Sequence, residues 1–126
     1  MKKVVLSILL VFAVSFSISA TNFEHKTADV ALTYTEVSPF CKLIQSGNYD
    51  AVKAMIDNGE DVNKKSGGLT PLMFAARYNR AKIAQLLIDK GAKLKTKSDN
   101  GHTALKWAEL AKAYDALTVI KEALDS

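Results

Sequence analysis

Cysteine is almost absent from this chain of 126 residues: Cys41 is the only one, so no disulfide can form within the molecule and stability has to come from packing. Histidine is nearly as scarce. His25 and His102 are the whole supply, and neither has a companion at metal-ligand spacing, so no metal is expected. The sequence holds no Gly-x-Ser-x-Gly elbow, no phosphate-cradling glycine loop and no His-Glu-x-x-His pair. Asp61-Val62-Asn63 opens like a calcium loop, but Lys65 and Ser66 stand where that loop needs an oxygen ligand and a glycine. These absences point away from an enzyme, and no cofactor is expected. Arginine is also sparse, with Arg77 and Arg80 the only two among 17 basic residues, which argues against a phosphate-reading surface.

What is present begins with an unusual first segment. Met1-Lys2-Lys3 is positive, Val4 to Val14 is apolar apart from Ser7, and Ser15 to Ala20 is rich in small residues; together they read as a secretory signal peptide over 1–20. The apolar run is too short to span a bilayer in comfort, and Cys41 lies well beyond the place of a lipid-modified cysteine. Cleavage removes Lys2 and Lys3 and so halves the formal charge of +4. The expected product is exported, to a periplasm or the extracellular space, without stable membrane insertion once the signal is cut. A sequence pI of 9.2 would suit nucleic acid, but an exported protein rarely meets it, and nucleic acid is not expected as a partner. An uncleaved signal holding the protein at the membrane is the alternative, to be settled by the mass of the mature N-terminus.

With 48% hydrophobic and 24% charged residues the remainder is too mixed to be disordered, and comparing it with itself reveals three copies of one unit. Ser38-Pro39-Phe40, Thr70-Pro71-Leu72 and Thr103-Ala104-Leu105 align at offsets of 32 and 33 residues. Ser38, Thr70 and Thr103 are suitable N-caps, and Pro39 and Pro71 follow where a missing N–H costs nothing. A first helix should then bury Phe40, Leu43 and Ile44; Leu72, Ala75 and Ala76; and Leu105 and Ala108. Gly47 and Asn79 tolerate positive φ and can turn the chain back; Lys112 holds that position in copy three. A second helix carries Ala51, Val52, Ala54 and Met55; Ile83, Ala84, Leu86 and Leu87; and Ala116, Leu117, Val119 and Ile120. Gly59 and Gly91 close it. Helices this short are unstable alone, so the copies must stack, and Phe74 and Trp107, equivalent in adjoining copies, are expected to meet as core.

Thr70-Pro71-Leu72-Met73-Phe74-Ala75-Ala76, followed by Ile83 to Ala92, resembles an ankyrin repeat, and Gly101-His102-Thr103-Ala104-Leu105 begins another. The likeness covers about Val37 to Leu124. Departures fall at the ends: Leu43-Ile44 replaces an alanine pair, and copy three has Ala104, Glu109 and Lys112 for proline, alanine and glycine. The resemblance implies an all-α class, an α-solenoid of about three repeats, each a helix-turn-helix with a hairpin loop. Its organisation is expected to be a leader over 21–37 and a repeat domain over 38–126, with repeats at about 38–65, 66–98 and 99–126. Val30, Leu32 and Tyr34 alternate with polar residues, a pattern of extended chain that would cover the open end of copy one, with a flexible leader over Thr21 to Thr27 as the equal alternative.

The resemblance also implies a protein-protein interaction module, with the partner on a concave side made by hairpin tips and first-helix ends. Those places are Gln45 and Ser46, Arg77 and Tyr78, Leu110 and Ala111, with Lys65, Leu69, Lys97, Asp99, Asn100 and His102 at the tips. Arg77 and Tyr78 are residue types enriched in binding hot spots and are expected to anchor a partner. Lys93, Lys95 and Lys97 alternate on one arm beside Lys64 and Lys65, a basic strip that suits an acidic protein surface and equally keeps hairpins soluble. A monomer is expected. The competing reading is an envelope accessory protein that takes a small ligand or uses the Cys41 thiol, although a packing role for that cysteine fits its place on the first helix better.

Overall fold

The computed structural model describes residues 36–126. The expected signal peptide and the leader as far as residue 35, with His25, lie outside the described residues.

Within them the chain forms six α-helices: α1 (Pro39–Ser46), α2 (Tyr49–Asp57), α3 (Pro71–Arg77), α4 (Ala81–Asp89), α5 (Ala104–Leu110) and α6 (Tyr114–Asp125). Successive pairs fold back as hairpins. Helices α1, α3 and α5 pack side by side as one row, and α2, α4 and α6 as a second. This is an all-α solenoid of three stacked helical hairpins, the architecture the resemblance implies. The only strand-like pairing among the described residues is an isolated bridge between Ser66 and Leu69.

Local chemistry sets the helix boundaries where the sequence placed them. The hydroxyls of Ser38, Thr70 and Thr103 accept the backbone N–H of Cys41, Met73 and Lys106 at 3.3 Å each, and Pro39 and Pro71 open their helices. Gly47 and Asn79 turn the chain at φ +78° and +54°, as expected. Lys112 does the same at φ +54°, so copy three keeps the turn geometry without the glycine. The cost for an L-residue there is about 1 kcal/mol, small enough for the surrounding packing to impose.

The core runs between the rows. Phe40, Ile44, Leu72, Ala75, Ala76, Ala108, Ile83, Ala84, Leu86, Leu87, Ala116 and Ile120 are buried, while Leu43, Leu105, Leu117 and Val119 are half-buried against them. One member of the expected stripe departs: Ala54 is exposed, although its counterpart Leu86 is buried. Helix α4 is covered on both sides, by α2 and α6, whereas α2 has a row neighbour only at α4. Burial at that position therefore follows the neighbours.

Side chains tie one repeat to the next through backbone groups. Arg80 Nε and Nη2 donate to the Gln45 carbonyl at 3.0 and 2.7 Å. Asn63 Nδ2 donates to the Gly91 carbonyl at 3.2 Å, and its Oδ1 accepts the Lys93 N–H at 2.8 Å. Asn79 Oδ1 accepts the Ala116 N–H at 3.0 Å. That last bond is a borrowed cap, because α6 starts after Ala113, which has no side chain able to serve.

Candidate functional site

Two loop tips stand next to each other and form one side of the candidate site. Ser66 N–H donates to the Leu69 carbonyl at 2.8 Å and closes the first, and Ser98 N–H donates to the His102 carbonyl at 2.8 Å and closes the second. Asp99 N–H donates to the Gly68 carbonyl at 3.1 Å and fastens the tips together. The φ of +82° at Gly68 favours glycine, and a Cβ there would lie 2.6 Å from Asp99 Oδ2, so the carboxylate would have to shift. Lys65 Nζ adds an ion pair to Asp99 Oδ1 at 3.6 Å, with the Asp99 side chain 78% exposed.

The other side is the C-terminal end of α3. Arg77 and Tyr78 emerge there into solvent, and Gln45 Nε2 donates to the Tyr78 hydroxyl at 3.4 Å. Arg77 Cζ lies 5.8 Å from the centre of the Tyr78 ring and 5.4 Å from that of Trp107 on α5. The His102 ring meets the same indole at 5.4 Å, edge to face. A hollow of about 230 Å³ opens among these groups, lined by Gly67, Gly68, Leu69, Arg77, Asp99, Asn100 and Trp107.

Of the residues named from the sequence, Leu69, Arg77, Asp99 and Asn100 line this hollow, and Tyr78 and His102 adjoin it through Arg77 and Trp107. Lys65 reaches it only through Asp99. Lys97, Ser46 and Ala111 are exposed, Gln45 is half-buried and Leu110 is 55% exposed at the end of α5; none of the five lines the hollow.

Trp107 meets its expected place in the core only in part: it packs against the core and also reaches the site. Paired with Phe74 it was expected as core, but Phe74 is buried whereas Trp107 is half-buried and faces Arg77 and His102. Its indole Nε1 is buried without a hydrogen-bond partner. The available signal was positional: among the described residues α3 is flanked in its row by α1 and α5, whereas α5 is flanked by α3 alone.

Cys41 lies elsewhere, on the core-facing side of α1, and is 1% exposed. Burial raises its thiol pKa, the hydrogen bond with Ser38 lowers it, and the Glu60 charge raises it; the net result lies above the ordinary value. A buried thiol of raised pKa makes a poor nucleophile, which counts against thiol chemistry. Among the described residues there is no His, Cys, Asp or Glu cluster suited to a metal, and no helix is long and apolar enough to cross a membrane.

Comparison with known proteins fits this architecture. The family model for ankyrin repeats (3 copies) matches residues 12–99 and again 40–124, and the chain belongs to the ankyrin repeat family. It is 38% identical over 65 residues to M-phase phosphoprotein 8 of Rattus norvegicus, covering 49% of this chain and 8% of that protein. An ankyrin repeat protein of Rickettsia felis is 28% identical over 101 residues, covering 73% of this chain and 38% of the relative. The chain thus spans only part of these relatives. The crystal structure of the human ASB11 ankyrin repeat domain superposes with a TM-score of 0.65 at 24% identity, covering 68% of this chain and 39% of that one, which is a likeness of fold. Ankyrin repeats are generally protein-binding scaffolds without catalytic activity.

Proposed function

We propose that the chain is an exported, non-catalytic binding module that holds a protein partner on the face made by its loop tips and the C-terminal ends of α3 and α5. The observation that carries this reading is the cluster of Arg77, Tyr78 and Trp107 beside the tips. It puts the three residue types most enriched in binding hot spots on one partly exposed surface of the central and third repeats. Family membership supports protein as the partner class. The apolar run and small residues of 1–20 support export to a periplasm or the extracellular space.

An acidic partner suits the charge around the face. Lys64, Lys65, Lys93, Lys95 and Lys97 are exposed on two arms that Asn63 joins side by side, so their fields add and steer an approaching anionic surface. The thiol alternative has no comparable support, given the burial of Cys41.

Affinity capture from the native exported fraction tests the reading. Wild type is expected to retain a partner that Arg77→Glu/Tyr78→Ala loses, with affinity falling about 30-fold or more for two anchor residues. Equal recovery of every protein by both baits would remove the assignment of this face. Mass measurement of the mature N-terminus tests export separately, and an intact Met1 in the envelope fraction would contradict cleavage.

A further inference from the structure

We propose that the hollow between the paired tips and the ends of α3 and α5 receives a carboxylate-bearing side chain from an acidic segment of the partner, and that Arg77 exchanges the Trp107 ring for that carboxylate on docking. This rests on the protein-binding reading above and specifies the partner's chemistry.

Arg77 is the reason. Among the described residues its guanidinium has no carboxylate within ion-pair distance, and its close neighbours are the Trp107 and Tyr78 rings. The carboxylate that shares the hollow, Asp99, pairs with Lys65 at 3.6 Å rather than with Arg77, and its backbone N–H is bonded to the Gly68 carbonyl. The hollow is therefore lined by a cation that spends its charge on rings alone. At an exposed site that contact is weaker than the two parallel charge-assisted bonds a guanidinium makes to a carboxylate, so an arriving acid wins the arginine. Trp107 gains as well. Its Nε1 is buried without an acceptor, and any rearrangement that admits a carboxylate or backbone carbonyl to the indole edge relieves that cost.

Size and surroundings favour a segment of protein over a free small molecule. The hollow of about 230 Å³ is below the 300 to 1,000 Å³ usual for small-molecule sites, yet adequate for one side chain. Leu69 is half-buried at its wall, and Tyr78 stands beside Arg77, 39% exposed, giving apolar footing to residues that flank the acid. Lys64, Lys93, Lys95 and Lys97, exposed on the adjoining arms, offer charge to further acids along the segment.

Trp107 is the only tryptophan of the chain, so its emission reports this site directly. The full chain is titrated with a capped pentapeptide of four glutamates around a central leucine, and with the same peptide carrying glutamines. The glutamate peptide is expected to change the emission in a saturable way. Binding should weaken about tenfold for the glutamine peptide, for the Arg77→Gln protein, and in about 0.5 M salt. Lys82→Gln, on helix α4 of the other row, should bind as wild type, and circular dichroism verifies that both variants fold. No emission change up to about 1 mM peptide, the weak limit of specific affinity, would overturn the proposal. So would equal binding of the two peptides, or unchanged affinity in Arg77→Gln. Tighter binding of an oligothymidylate than of the glutamate peptide, with the same dependence on Arg77, would overturn it in favour of nucleic acid. Partner capture that depends on Arg77 and Tyr78 while the peptide fails would sink this inference alone; capture indifferent to both residues would sink the parent reading.

Discussion

The second and third repeats share one plan at an offset of 33 residues and differ in their surroundings. Helix α3 lies between α1 and α5 and buries every residue from Pro71 to Ala76. Helix α5 closes the row and buries only Ala104 and Ala108. Equivalent positions diverge accordingly: Ala76 is fully buried and Glu109 is exposed, and Phe74 is buried where Trp107 is half-open. The number of neighbours, more than the side chain, decides burial in a stack. The less covered repeat contributes Trp107, Asp99 and Asn100 to the candidate face, and the central one contributes Gly67, Gly68, Leu69 and Arg77, so the face is built jointly by the two.

The sharpest way to break this comparison is to truncate the same leucine in both repeats. Leu72→Ala removes a side chain only 1% exposed and should cost about 3 kcal/mol, with little room for the site to collapse. Leu105→Ala removes its half-buried equivalent and should cost about 1 kcal/mol. Urea unfolding measures both. Equal losses would mean that the third repeat packs as tightly as the second, and the contrast would have no energetic content.

A smaller effect of opposite sign separates the two inter-helix turns. Asn79 and Lys112 both sit at φ +54°, but Asn79 also caps α6 through its bond to Ala116 N–H. Lys112→Gly relieves the left-handed conformation and should stabilise by about 0.5 kcal/mol after glycine's larger entropy loss on folding. Asn79→Gly gives less relief, because asparagine tolerates positive φ, and loses the cap, for a net destabilisation of about 0.5 to 1 kcal/mol. Thermal unfolding of the two variants should therefore move in opposite directions.

Most of the helical plan was legible because caps, glycine turns and apolar spacing act within a few residues. Ser38, Thr70 and Thr103 each announced a helix start, and each makes the capping bond expected of it. Ala54 was misread because an alanine at helical spacing does not reveal whether a neighbouring helix exists to cover it. Asn63 and Arg80 gave no signal: their partners are backbone groups some thirty positions away, and a carbonyl such as that of Gln45 looks the same in every sequence. Arg77, Leu69, Asp99 and Asn100 could be nominated from the family likeness, which fixes where tips and helix ends fall. Their meeting around Trp107 depends on the packing of α3 against α5, which no local pattern encodes.

The smallest effect expected at neutral pH compares Cys41 with its equivalents, Met73 and Lys106. The position is buried in the first two repeats and exposed in the third, so Cys41 should behave as a core residue despite belonging to a terminal copy. A thiol reagent should leave it unmodified in the native protein at neutral pH and react once the chain is unfolded. The pH dependence follows from the raised thiol pKa, caused first by burial, opposed by Ser38 and assisted by Glu60. Below the ordinary value of 9.0 both states keep the proton and stability is flat with respect to this group. Above it the unfolded chain ionises first while the folded one holds its proton, so stability falls with a slope of at most about 1.4 kcal/mol per pH unit. The difference between wild type and Cys41→Ala isolates this slope from the titrating lysines. A native thiol that is alkylated as fast as the unfolded one would place Cys41 at an open edge, and the first repeat would then resemble the third rather than the second.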